Sequence, residues 1–202
     1  TDFDGTDLSG GSERTANVRI ANGSLLTFSG GTLSLLGTST ASTTVDAQSG
    51  TYTWIVNGAT TTASYYSAAG MDASGLQLLN ATPVTTLDHG SFTVSVPSGS
   101  ALTIASTTID ADPAKQPSLI SFATTTAIAA NNVTLQGIPT SYWWFRNTVG
   151  NLQGESYDND DGNPGAIRWD DSSITINISG VVYADDGVTP LTGGTCDGIS
   201  TP

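Results

Sequence analysis

The chain of 202 residues sets five Lys plus Arg against eighteen Asp plus Glu, a formal net charge of −13, which repels phosphate backbones and argues against nucleic acid as a partner. No apolar run reaches the ~18 residues a membrane-spanning helix needs, so no membrane insertion is expected. Lysine and glutamate, the usual exposed helix formers, are almost absent, while Thr, Val, Ile and aromatic residues recur in short runs, and this predicts an all-β protein. Its one cysteine, Cys196, can build neither an intrachain disulfide framework nor a cysteine zinc cluster, and is read as a free thiol or an intermolecular partner. A start at Thr1 without Met or a signal-like segment is expected of a processed or trimmed precursor.

Residues 1–16 (TDFDGTDLSGGSERTA) lack apolar periodicity and read as an acidic arm. Over 17–138, runs of four to eight residues such as SLLTFSGG, TYTWIVNG and SFTVSVPSG alternate with Gly, Asn, Ser or Pro, the pattern of strands separated by tight corners. Ile20, Leu25, Phe28, Leu33, Leu35, Val45, Tyr52, Trp54 and Val56 are read as the inward set. Uneven spacing of the corners favours a parallel β-helix-like solenoid, each coil burying its face on the next. The alternative is a β-sandwich in which Asn-Gly and Ser-Gly are hairpin turns.

After Pro139 the texture changes. Residues 139–184 form an aromatic and acidic region: three of the four tryptophans lie between Tyr142 and Asp171. The region ends in a strand with Ile174, Ile176, Ile178 and Val182 on one face, expected to pair antiparallel. Residues 185–202 read as a tail.

The turn Asp158-Asn159-Asp160-Asp161-Gly162 places carboxylates at alternate positions, and with Asp170 and Asp171 folding back it is a candidate Ca²⁺ site, though it half-matches an EF-hand loop and lacks the distal Glu. The competing reading is a solvated acidic turn paired with Arg146 and Arg168. Trp143 and Trp169, with Glu155, could form a platform for a sugar ring, yet neighbouring Trp143 and Trp144 must point to opposite faces, and a buried aromatic cluster capped by the arginines explains the same residues. A carboxylate pair drawn from Glu155, Asp160 and Asp170 would suit a Ca²⁺-dependent polysaccharide lyase or a glycoside hydrolase, but the separation that matters is not encoded in the sequence. A lyase would also want a base, and Lys115 is distant along the chain. No catalytic residue is assigned, and the chain is read as a non-enzyme. His89, between Asp88 and Gly90, is expected at a turn between strands. Asn22, Asn80, Asn132 and Asn177 lie in glycosylation sequons.

The run WWFRNTVGNLQGESYDNDDGNPGAIRWDDSSITINISGVVYADDGVTP resembles segments of very long, repetitive bacterial surface or secreted proteins. In these, β-helix-like stretches alternate with small Ig-like or carboxypeptidase-regulatory-like modules that open with a strand of the form SGxVYxDxGxT; here that strand is SGVVYADDGVT, Ser179 to Thr189. The resemblance covers 140–202 and implies a location and an architecture, with no catalytic mechanism. Stopping at Pro202, the chain departs from the module's pattern and is expected to leave a strand seeking an edge. The resulting expectation is an extracellular, cell-surface structural protein that pairs with copies of itself by strand complementation into a homopolymer. The first rival is a glycan-binding adhesin module.

Overall fold

The structure, a computed structural model, describes residues 16–125, 128–160 and 162–170, and the backbone of 2–4. Its strands follow one another around successive coils. The first coil holds β1 (Asp2–Asp4), β2 (Asn17–Ile20) and β3 (Leu25–Phe28); the second β4 (Thr32–Leu36), β5 (Thr43–Ala47) and β6 (Tyr52–Asn57). Then come β7 (Thr60–Ala69) with β8 (Met71–Leu79), β9 (Val84–Val94) with β10 (Ser100–Ala105), β11 (Ser121–Thr124) with β12 (Asn131–Gln136), and finally β13 (Trp143–Phe145) and β14 (Ile167–Trp169). Every pairing between these strands is parallel, giving a β-solenoid of about six turns.

Parallel pairing also settles the role of the Asn-Gly and Ser-Gly pairs. A hairpin would have made its flanking strands antiparallel neighbours, whereas Asn57-Gly58 lies between β6 and β7, which belong to different sheets. Such pairs are corners of the coil, and the sandwich alternative falls with them. The terminal strand carrying Ile174, Ile176, Ile178 and Val182, with its expected antiparallel pairing, lies outside the described residues.

Side-chain alternation along each strand and stacking between coils together produce the core. Leu26, Trp54, Leu76, Leu102 and Val133 occupy one register column, and Phe28, Val56, Leu78, Ile104 and Leu135 the next. Within these columns everything from the second coil onward is buried, each large aliphatic side chain contributing about 1.5–3 kcal/mol. Leu25 is a correction to the expected inward set: it is 64% exposed, because Leu25 and Phe28 are three residues apart and cannot share a strand face. Leu26 takes the inward position. Coil length is irregular, 22 residues from Trp54 to Leu76 and 31 from Leu102 to Val133, so no fixed repeat is visible in the sequence.

One corner is made by non-glycine residues in the left-handed region. Tyr65, His89 and Asn147 have φ of 52°, 46° and 50°, and Leu119 has 55°. Register places them above one another, since Ser64 pairs with Asp88, Asp88 with Ser118 and Ser118 with Arg146. A single left-handed residue bends the strand without interrupting the ladder: the His89 amide still donates to the Ser118 carbonyl at 3.0 Å and the Leu119 amide to the Arg146 carbonyl at 3.0 Å. Each such residue costs about 1–2 kcal/mol, offset in part where the Tyr65 and His89 rings stack at 4.3 Å. His89 is therefore inside β9 at a bend, rather than in a turn between strands.

The helix α1 (Ser106–Ala111) interrupts the coil after β10, burying Thr108 and Ile109. Pro113 prevents its continuation, since the residue before a proline is driven out of the helical region; Asp112 has φ −135° and ψ 70°. Among the described residues no helix is long and apolar enough to cross a membrane.

Candidate functional site

Chemistry-bearing side chains concentrate on the last described coils. In β13 the alternation sends Trp143 and Phe145 inward, both 0% exposed, with Ile167 and Trp169 of β14 beside them. An aromatic spine results: Phe92 stacks on Phe122 at 5.7 Å, Phe122 meets Phe145 edge-on at 6.0 Å, and Phe145 stacks on Trp169 at 4.9 Å. Aromatic pairs of this kind add about 0.5–1.5 kcal/mol each beyond area burial. The Trp143 indole N–H donates to the Asp112 carbonyl at 2.9 Å, using a backbone acceptor left over at the end of α1.

Outward from the same two strands stand two arginine-on-ring pairs. The Arg168 guanidinium lies 3.5 Å from the centroid of Tyr142, and that of Arg146 4.6 Å from the centroid of Trp144. Trp144 and Arg168 are register partners. Arg146 is further held by Asp170 at 3.3 Å and by the Gln116 side-chain carbonyl at 3.4 Å. Lys115 joins them from the coil before, its carbonyl accepting the Trp144 amide at 2.8 Å while its ammonium pairs with Asp112 at 2.8 Å. One coil of about thirty residues thus brings Lys115 beside the aromatic region, with its ammonium on Asp112.

The acidic turn is organised by its own backbone and by Trp169. A single 3₁₀ turn, Glu155–Tyr157, leads into Asp158, whose carboxylate accepts the Trp169 indole N–H at 2.7 Å. Burial pushes the Asp158 carboxyl up to about 6; the Trp169 hydrogen bond pulls the other way, and Glu155 and Asp160 push it up further. Asp160 accepts the Gly165 amide at 3.0 Å, which closes the turn ahead of β14.

Of the proposed Ca²⁺ ligands, Asp158, Asp160 and Asp170 are thus engaged by Trp169, Gly165 and Arg146, and Asp161 and Asp171 lie outside the described residues. Among the described residues no three His, Cys, Asp or Glu side chains converge as a metal-binding group. The proposed sugar platform requires correction. Trp143 is fully buried and Trp169 is 9% exposed with its ring against Phe145, so neither offers a face to a ligand, while Glu155 is exposed in the 3₁₀ turn. The alternation was legible, but it was assigned the wrong way round: an arginine at 146 marks the outward parity that Trp144 and Tyr142 share.

Among the sequons, Asn22 and Asn80 are exposed. Asn132 is 0% exposed and its amide donates to the carbonyls of Leu152 at 2.7 Å and Gly154 at 2.8 Å. Its nitrogen is committed to holding the 3₁₀ turn against β12 and cannot carry a glycan in this fold. Asn177 and Cys196 lie outside the described residues. His89 Nδ1 sits 3.2 Å from Asp88 Oδ1, an ion pair only when the ring is protonated, and neither atom has a partner in hydrogen-bonding geometry.

No protein-family model, curated protein or solved structure matches the chain.

Proposed function

We propose that the chain is a structural subunit of an extracellular surface filament, adding copies end to end by β-strand complementation. The observation that carries this reading is the state of the first coil. Among the described strands, β2 is paired on one side only, by β5, and β3 by β6 alone. Their inward side chains Val18, Ile20, Leu26 and Phe28 are only partly buried, in contrast to the columns above them. A parallel edge with unpaired amides and carbonyls and incompletely covered apolar residues is a template for another strand. A contact of that kind between opposite ends of two copies does not close, and so propagates. On its sequence alternation, the segment 174–182 is the strand expected to act as donor.

The test is electron microscopy of the native full chain near neutral pH, compared with Arg19→Pro: the Ala16 and Ile20 carbonyls accept from β5, so the Arg19 amide faces the open edge, which proline blocks by removing that amide and fixing φ. Uniform filaments that the substitution shortens or abolishes are expected. Discrete particles at every concentration, with the chain folded, would remove the assembly reading.

A further inference from the structure

We propose a second, ligand-binding role for the outward face of the last coil: the pocket beside Tyr142 and Arg168 receives a carboxylate-bearing sugar unit, such as a uronic acid residue of an anionic polysaccharide. The cavity is about 230 Å³ and is lined by Thr140, Ser141, Tyr142, Asn163, Gly165 and Arg168 among others. It is smaller than the ~300–1,000 Å³ that houses a drug-sized ligand, so its occupant is a single ring-sized unit.

Arg168 is prepared for a planar anion. Its Nε donates to the Gly165 carbonyl at 3.0 Å and its guanidinium lies flat enough to approach the Tyr142 ring at 3.5 Å, while no described residue accepts from its two terminal nitrogens. A guanidinium pinned at one nitrogen and backed by a ring keeps its outer fork free for a bidentate carboxylate, with little rotamer entropy left to lose. Arg146 contrasts with it, since Asp170 and Gln116 already occupy its fork.

The walls are equally fixed. Asp110 of α1 receives the amides of Thr140 and Ser141 at 2.7 and 3.0 Å and the Thr140 hydroxyl at 2.9 Å, so the 140–141 segment is tied down and the Ser141 hydroxyl stays available. Asp160 holds the Gly165 amide from behind. These two carboxylates serve the walls, and among the described residues no acidic side chain lines the cavity. In a chain of eighteen acids and five cations, a pocket where the described residues leave an arginine fork unpaired and supply no acid is a place suited to an anion. Hydroxyl and amide groups on the wall, in place of large apolar side chains, favour a sugar over a peptide side chain.

The test uses calorimetric titration of the full chain at low salt with trigalacturonate, its methyl ester and a neutral galactose trisaccharide, repeated with glucuronate and mannuronate oligomers. Binding of at least one acidic oligomer is expected, with the ester and neutral forms weaker by about tenfold or more. Arg168→Gln is expected to weaken it by about 10- to 100-fold, the range of one charge-assisted hydrogen-bonded contact. Arg168→Lys should recover part of the loss, and Arg19→Gln, a cation on the first coil, should leave binding unchanged. Circular dichroism confirms that each variant is folded. The proposal is overturned if no uronate oligomer binds at millimolar concentration, if Arg168→Gln binds as well as the parent, or if an oligo-aspartate binds as tightly as the uronates. None of these readouts depends on filament formation, so the two proposals fail separately.

Discussion

The middle coils and the last described coils are joined by parallel bridges, Ser118 to Arg146 and Ser121 to Val149, and differ in what they place outward. On the outward face of β7, β9 and β11 one register column runs Ser67, Ser91 and Ser121, small side chains that stand on a flat sheet and reach little. On β13, its two flanking residues and β14, the outward positions are Tyr142, Trp144, Arg146 and Arg168, stacked in pairs. Inside, the same transition is smooth, because the aromatic spine simply continues from Phe92 and Phe122 to Phe145 and Trp169. A solenoid thus separates two tasks: inward positions must match the neighbouring coil, whereas outward positions are free to carry chemistry on any one coil.

The largest effect that would break this comparison comes from the backbone. A Cβ at Gly150 would lie 2.0 Å from the Phe122 carbonyl oxygen, at a φ of +106°, so Gly150→Ala must force apart the β11 coil and the last one. A loss of about 3–4 kcal/mol is expected in urea unfolding. Next comes the inner against the outer tryptophan. Trp143→Ala should cost about 3–5 kcal/mol as a core cavity with an unpaired carbonyl at Asp112, and Trp144→Ala about 1 kcal/mol, since it loses chiefly the Arg146 contact. Equal costs would mean the alternation does not divide the coil as described.

Asp158 sharpens the comparison by pH. Its folded-state value of about 6 lies above the ordinary 3.8, so the folded chain holds this proton more tightly than the unfolded one. The stabilisation is present at low pH and is lost as pH rises from about 4 through 6. Asp158→Asn keeps an oxygen for the Trp169 indole and removes the charge. After discounting for solvent screening of a half-buried group, it should stabilise the fold at pH 7 by about 1 kcal/mol and flatten the pH profile between 4 and 6. Unchanged pH dependence in thermal melts would show that Asp158 is not the titrating group. The smallest effect belongs to the bend. Leu119 is 47% exposed with φ 55°, so Leu119→Gly should relieve backbone strain and stabilise by about 0.5–1 kcal/mol, whereas Leu119→Val should destabilise by a similar amount.

Much of the fold was legible. Short alternating runs and uneven corners pointed to parallel coils, and the inward parity of Leu33, Leu35, Trp54 and Val56 was readable because polar Thr32, Ser34, Thr53 and Asn57 hold the opposite parity. Leu25 was misplaced because Leu25-Leu26 offers two apolar residues and only the partner strand β6 selects between them. The candidate site was less legible for the same reason: Trp143-Trp144 is locally symmetric, and a strand of three residues carries too little pattern to fix its own parity. Asn132 read as a glycosylation candidate because nothing in Asn-Val-Thr announces the carbonyls of Leu152 and Gly154 twenty residues on.

By itself the sequence determined the all-β class, the acidic surface, the corners and the position of the aromatic region, because these follow from local propensity, charge and side-chain period. Only the tertiary structure decided which tryptophan is core, which arginine has a fork that no described residue occupies, and which residues 28 to 31 positions apart become neighbours. Coil length sets that last relation, and it varies from coil to coil in a way no local pattern records.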